Sequence, residues 1–346
     1  MKFGHVQLKD ALGAVLAHTV RLAGVRLRKG HVLTASDLEA LREEGVTEII
    51  AARLDENDIE ENEAARRVAD AVSEGRFTCS EPFTGRVNIF AKEAGLFRAD
   101  ASAVNALNAI DPAITLATLA DGVFVEAGRM VATVKIIPFS AAADAVAKAV
   151  EKAAAAEVVS LIPAKRKTVG LVSTCLPSLK PATMDKTRNV LEERLASAGS
   201  TLVDEVRVDH TEDALAPALS AMHKRADMTV VFGASAICDR GDVIPRSIVE
   251  CGGEIVQFGM PVDPGNLLLV GQLDGRPVIG APGCARSPAE NGFDWVLQRF
   301  LCDLPVDTAF ISALGVGGLL MEITSRPQPR EANAGGQRPD TGDADE

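Results

Sequence analysis

The chain has 346 residues, one Trp, no Tyr and a formal charge of -12. That length exceeds a single core and predicts two or more domains with aliphatic interiors. The acidic balance, without interleaved basic and aromatic residues, argues against a nucleic-acid partner.

The N-terminus, "MKFGHVQLKDALG", lacks the apolar stretch of a signal peptide, and no apolar run is long enough for a bilayer. No membrane partner is expected. The six cysteines, at 79, 175, 238, 251, 284 and 302, form no CxxC pair, which suits a reducing compartment and predicts a cytoplasmic protein. Residues 1–54 read as a small α/β module. In "LRKGHVLTASDLEALREEGVTEII", Thr34 and Asp37 have capping-box spacing, Gly45 is placed to stop the helix, and "VTEII" reads as a strand.

Residues 55–165 read as a mixed α+β region. "DIEENEAARRVADAVSEG" puts Ala64, Val68, Ala71 and Val72 on one helical face. "GRVNIF", "ITLATL" and "GRMVATVKIIPF" read as strands, and 141–157 as an Ala-rich helix. From 166 to 323 strands and helices alternate: "TVGLVST", "MDKTRNVLEERLASAG", "TLVDEVRV", "TEDALAPALSAMHKRA", "MTVVFGA". This order predicts βαβ units and a parallel sheet. The remaining residues, 324–346, are rich in Pro, Gly and charge and read as a disordered tail.

Parallel sheets bind ligands beyond the carboxyl ends of their strands, which selects the loops 174–182, 208–211, 233–242 and 281–290. The first brings Ser173, Thr174, Lys180, Lys186 and Arg188, either as positive charge for a ligand or as a solvated helix face. In "GASAICDRGD", Gly233, Ala234 and Ser235 allow close backbone approach, and Asp239 and Asp242 add carboxylates. The competing reading is an ordinary turn with Asp242 capping the next helix. No GxGxxG fingerprint is present, so a nicotinamide dinucleotide is weakly supported. "GMPVDPGN" is a rigid turn presenting Pro261, Asp263, Gly265 and Asn266, or a plain β-turn between strands.

"PGCARSPAENG" carries the strongest electrostatic argument. A helix starting near Ser287–Pro288 would offer free N–H groups to an anion, with Arg286 bidentate to a phosphate and Gly283, Cys284 and Ser287 beside it; the competing reading is a helix start with a surface arginine. Cys175, Cys238 and Cys284 fall one apiece in three loops. A soft-metal or thiol site is one reading; the preferred one is small buried residues. Hydrolase, P-loop and HExxH signatures are absent.

"VGLVST…MDKTRNVLEERLASAG", "MTVVFGASAICDRGDVI" and "GRPVIGAPGCARSPAENGFDWVL" together resemble the molybdopterin-binding domain of molybdopterin molybdotransferases, gephyrin-like proteins and competence-damage-like proteins. "VLAHTVRLAGVRLRKGHVLTASDLEALREEGVTEI" resembles the front of the molybdotransferases. The likeness extends to a subgroup of molybdopterin-binding proteins, some of them fused to a cofactor cytidylyltransferase. It implies a three-layer α/β domain with a parallel sheet, preceded by smaller mixed domains. Where the family carries Thr-Gly-Asp-Glu, Thr174 is followed by Cys175, Leu176 and Pro177; its Pro-Gly-Asn-Pro turn becomes Pro282, Gly283, Cys284, Ala285.

The acidic equipment for molybdate insertion is thus reduced, and the resemblance implies binding of molybdopterin or the molybdenum cofactor. It leaves two alternatives: a Mg2+-dependent molybdotransferase using Asp239 or Asp242, and a nucleotide pyrophosphatase. The partners implied are a cofactor nucleotidyltransferase or a recipient molybdoenzyme, with the chain itself a homo-oligomer.

Overall fold

The computed structural model describes residues 1–22 and 25–320. The tail expected over 324–346, and the last residues of the third region, lie outside the described residues.

Near the N-terminus, strand Glu48–Arg53 runs between Lys2–Gln7 and Val15–Leu16, antiparallel to both. Helix Ala35–Glu43 packs Leu38 and Leu41 under this sheet with Leu8, Leu16 and Ile49. The expected capping box is present. Thr34 accepts from the Asp37 N–H, and the Asp37 carboxylate accepts from the Thr34 N–H at 2.9 Å. Gly45, at φ +76°, turns the chain out of the helix, a conformation that favours glycine.

In the middle region helix Glu61–Val72 buries Ala64, Val68 and Val72 against a four-stranded sheet. Its strand order is Ile114–Thr118, Met130–Ile136, Arg86–Ala91, Phe77–Cys79. The Ala-rich helix is shorter than expected, Ala143–Ala154. Ser140–Ala142 is instead a short strand paired with Asp58–Glu60, because Ser140 and Ala141 are buried in that pairing.

The C-terminal sheet has six strands: β1 (Thr168–Cys175), β2 (Thr201–Asp209), β3 (Met228–Phe232), β4 (Glu254–Phe258), β5 (Leu269–Leu273) and β6 (Arg276–Ala281). Its helices are α1 (Pro181–Ala196), α2 (Glu212–His223), α3 (Val243–Glu250), α4 (Gly292–Leu301) and α5 (Thr308–Ala313). The strand order is β2-β1-β3-β6-β5-β4. Strands β2, β1, β3 and β6 run parallel, as the βαβ pattern requires.

The sheet is nevertheless mixed rather than all-parallel, since β5 is antiparallel to both β6 and β4. The cause is local: Asp274 and Gly275, both at positive φ (46° and 76°), close a two-residue hairpin. Alternate strand residues feed two clusters. Leu171, Val230, Phe232 and Ile279 pack with α1, α4 and α5; Val172, Val231 and Val278 pack with α2 and α3.

Candidate functional site

Parallel direction brings the carboxyl ends of β1, β2, β3 and β6 to one edge of the sheet. Two successive antiparallel pairings return β4 to the same direction, so its end and the 259–268 turn reach this edge as well. Gly265 approaches the start of α4 so closely that a Cβ there would lie 2.8 Å from the Gly292 nitrogen.

At the centre of the edge is the peptide joining Gly233 to Ala234, held from both ends. Its N–H donates to Thr174 Oγ1 at 2.8 Å. Its carbonyl accepts from Arg286 Nη2 at 2.9 Å. Arg286 Nη1 donates to Thr187 Oγ1 at 2.8 Å, and the guanidinium lies 5.1 Å from the Phe232 ring centroid. Gly233 has no room for a side chain, because a Cβ would meet the Ser235 carbonyl oxygen at 2.6 Å.

Thr174 is fully buried, and its hydroxyl also lies 2.8 Å from His210 Nδ1. The His210 N–H donates to the Cys175 carbonyl at 3.0 Å. The four loops chosen from the sequence are therefore linked through one hydroxyl and one guanidinium.

Arg286 is half-buried, and burial alone depresses its pKa. Among the described residues no carboxylate pairs with it. Its protein partners are a carbonyl oxygen, a hydroxyl and an aromatic face. A guanidinium has five donors in a planar fork and stays charged, so this group keeps capacity for an anion.

The expected helix start at Ser287–Pro288 is not what the chain forms. Gly283–Arg286 makes one 3-10 turn, Ser287 is extended, and α4 begins only at Gly292. Two forces move the start. Asn291 and Asp294 form their own capping box, and Arg194 draws the chain before it outward. Arg194 Nη1 donates to the Ala285 carbonyl at 2.8 Å and Nη2 to that of Ser287 at 2.8 Å, while Nε pairs with Asp294 at 2.5 Å. Pro288 thus precedes the helix, and no helix N-terminus opens at residues 287–288.

The other named residues are placed as follows. Ser173 is buried and donates to Glu205 Oε1 at 3.3 Å, towards β2 rather than the loops. Lys180 and Lys186 are exposed at the start of α1, and Arg188 pairs with Glu192. Asp242 stands at the N-cap of α3, but its carboxylate accepts from the Cys238 N–H at 2.6 Å and the Asp239 N–H at 3.0 Å instead of capping the helix. Asp239 accepts from the Gly241 N–H at 2.7 Å. Pro261 and Asn266 are exposed in their turn, and Asp263 bonds through its N–H to the Gly318 carbonyl.

Ser287 Oγ accepts from the Ala289 N–H at 3.3 Å. Gly283 is open to solvent, and the half-buried Cys284 thiol has its pKa raised by desolvation. Cys175 Sγ lies 3.4 Å from Met184 Sδ, and Cys238 is exposed. Among the described residues no three His, Cys, Asp or Glu side chains are grouped to hold a metal. None of the described helices is long and apolar enough to cross a membrane.

Sequence reasoning missed Thr187, Arg194 and His210. The first two had a signal: with Leu191 they share one face of α1 at helical spacing, so polar groups on a buried face require partners. His210 had none beyond its place in the second loop.

A family model described as a domain of unknown function, DUF8806, matches residues 5–53. No curated protein matches the chain. Among solved structures, a molybdopterin biosynthesis moea protein from Pyrococcus horikosii is similar at 13% identity and TM-score 0.32, covering 87% of this chain and 75% of that one. A molybdenum cofactor biosynthesis protein from Pyrococcus furiosus is similar at 12% identity and TM-score 0.26, covering 88% of this chain and 64% of that one. Molybdenum cofactor biosynthesis protein B is similar at 16% identity and TM-score 0.30, over 40% of this chain and 95% of that one. The similarity to molybdenum-cofactor biosynthesis proteins is thus a weak one, and it assigns no role to any residue.

Proposed function

We propose that the chain binds molybdopterin, or the finished molybdenum cofactor, in molybdenum cofactor biosynthesis, with the ligand's phosphate on Arg286. One observation carries this reading: a half-buried guanidinium whose charge no carboxylate compensates among the described residues. Burying an unpaired charge is costly, and a phosphate is the planar fork's natural counterion. The pterin identity rests on the motif resemblance in the sequence. On this reading Gly233, Ala234 and Ser235 line the pterin side. Thr174, Lys186, Pro261, Asp263, Gly265, Asn266, Gly283, Cys284 and Ser287 complete the surround.

The same reading takes the sheet with its two helix-bearing faces as a three-layer molybdopterin-binding domain, bounded near residue 165, with a further boundary near 54. A cofactor nucleotidyltransferase or recipient molybdoenzyme would take the ligand onward from a homo-oligomeric carrier. Asp239 and Asp242 each bind backbone N–H groups through one carboxylate oxygen, and among the described residues no third His, Cys, Asp or Glu is grouped with them for Mg2+-dependent insertion. With two carboxylates and no third ligand beside them, binding is preferred to catalysis.

The test is to titrate the protein with molybdopterin, then incubate it with adenylylated molybdopterin, molybdate and magnesium. Tight binding without AMP release is the expected result. AMP release would establish the transferase instead, and failure to bind any pterin phosphate would sink both.

A further inference from the structure

We infer that the exposed arginine face of the N-terminal hairpin docks an acidic segment of the same chain, residues 339–346, which lie outside the described residues. The hairpin pairs Val20–Leu22 with Val25–Leu27 and forms a two-stranded ribbon of its own. Its two faces differ in kind. Val20 and Leu22 pack against the N-terminal core, and Leu27 is buried in it. Side chains alternate along a strand, so the residues between these point the other way. Arg21 and Arg26 stand directly opposite each other in the register, and both are exposed. Arg28 continues the alternation past Leu27, and Lys29 follows; both are exposed as well.

Like charges directly across a ribbon are destabilising, whereas opposite charges there attract. Among the described residues no carboxylate forms an ion pair with Arg21, Arg26, Arg28 or Lys29. Residues 11–36 contain no Asp or Glu, in a chain whose formal charge is -12. The ribbon is thus a concentrated positive face that its own neighbourhood does not neutralise.

The occupant follows from charge and reach. Residues 339–346 read "PDTGDADE", with the carboxylates of Asp340, Asp343, Asp345 and Glu346 and no cation. Asp340 stands 20 residues past Leu320, the last described residue, so extended chain can carry it up to about 66 Å. Exposed ion pairs are individually weak, but a tether of this kind raises the local concentration to about the millimolar range. The overall negative charge disfavours a nucleic acid. The apolar side of the ribbon already faces the core, which leaves none for a lipid surface.

The experiment is carbodiimide coupling of the full chain, which joins an amine to a carboxylate in contact with it, read by peptide mass spectrometry. At low salt Lys29 should couple to a carboxylate of residues 340–346 within the monomer band, at a yield independent of protein concentration. The yield should fall about threefold or more in roughly 0.5 M NaCl, which screens exposed charges. It should fall as far in the double variant Arg21→Gln, Arg26→Gln, which keeps Lys29. A second readout needs no coupling. The Gly342 amide should show a restrained 1H–15N heteronuclear NOE in the wild type and a mobile one in the double variant. Both arginines are exposed and mutually repulsive, so that variant should unfold at the wild-type temperature or above, which separates a lost contact from a lost fold.

No coupling of Lys29 to residues 340–346, together with a Gly342 NOE that salt leaves unchanged, would overturn the inference. So would coupling confined to the dimer band, which would assign the ribbon to a second copy of the chain. Short double-stranded DNA bound equally by the wild type and by a chain with Asp340, Asp343, Asp345 and Glu346 all replaced by amides would also overturn it, by making the ribbon a nucleic-acid surface.

Discussion

Arg286 and Thr187 lie 99 residues apart in sequence, and their 2.8 Å hydrogen bond leaves the guanidinium facing a hydroxyl and a carbonyl, with no acid among the described residues. Arg286→Ala should therefore weaken molybdopterin and phosphate binding by about tenfold or more, measured by titration. Unchanged affinity would remove the phosphate from this position. Arg286→Lys should not restore it, since an ammonium cannot span Thr187 and Gly233 together in a planar fork.

A second residue-scale prediction concerns His223, which is only 3% exposed. Burial, helped by the positive charge of Arg276, lowers its pKa below the ordinary 6.5. Between that lowered value and 6.5 the unfolded chain binds a proton that the folded chain does not. Stability from this group is therefore full above pH 6.5 and declines as the pH falls below it, by at most about 1.4 kcal/mol per pH unit. Denaturant unfolding at pH 7 and pH 5.5 should show a smaller acid loss in His223→Leu than in the wild type. An equal loss in both would show that other groups carry the acid sensitivity.

Elements are held by residues that no single element predicts. The loop between β6 and α4 takes its course from Arg194, whose side chain and that of Asp294 are only 11% and 10% exposed. Removing one partner of a buried pair leaves the other uncompensated, so Arg194→Met should lower the unfolding free energy by about 3 kcal/mol. Hydrogen exchange should quicken at residues 283–291. A loss below about 1 kcal/mol in denaturant titration would mean that the loop holds its course without Arg194. Thr34→Ala, by contrast, removes one exposed cap and should cost only about 1 kcal/mol by the same measurement.

Helix α1, helix α2 and strand β3 were legible because periodicity is a local property. The start of α4 was misplaced because Ser-Pro is a fair helix opening in isolation. Asn291 with Asp294 is a better one once Arg194 holds the preceding carbonyls. The hairpin at Asp274–Gly275 was also legible in principle, since Asp-Gly between apolar runs closes two-residue turns.

For the molecule as a whole, the N-terminal strands rest on the middle region through a few named contacts. Phe3 stacks on Phe139 with centroids 6.5 Å apart, and Lys29 lies 5.8 Å from the same ring. The terminal ammonium pairs with Asp55 at 2.6 Å and Asp58 at 2.8 Å. Phe139→Ala should thus raise hydrogen exchange across residues 1–54 while phosphate affinity at the distant sheet edge stays unchanged. A parallel loss of affinity would show the two regions to be coupled.

Composition and periodicity by themselves determined the aliphatic cores, helices α1 and α2, strands β1, β2 and β3, and the sheet edge where four loops meet. Only the tertiary structure decided that the sheet is mixed, that Arg194 and not a helix start shapes the last loop, and that Thr174 and Arg286 share one peptide. The reason is range. A helix or strand is specified by neighbours within a few residues, whereas the partners of a buried charge here stand 99 and 53 residues away. Folding must bring them together before the charge can be seen to lack a carboxylate among the described residues.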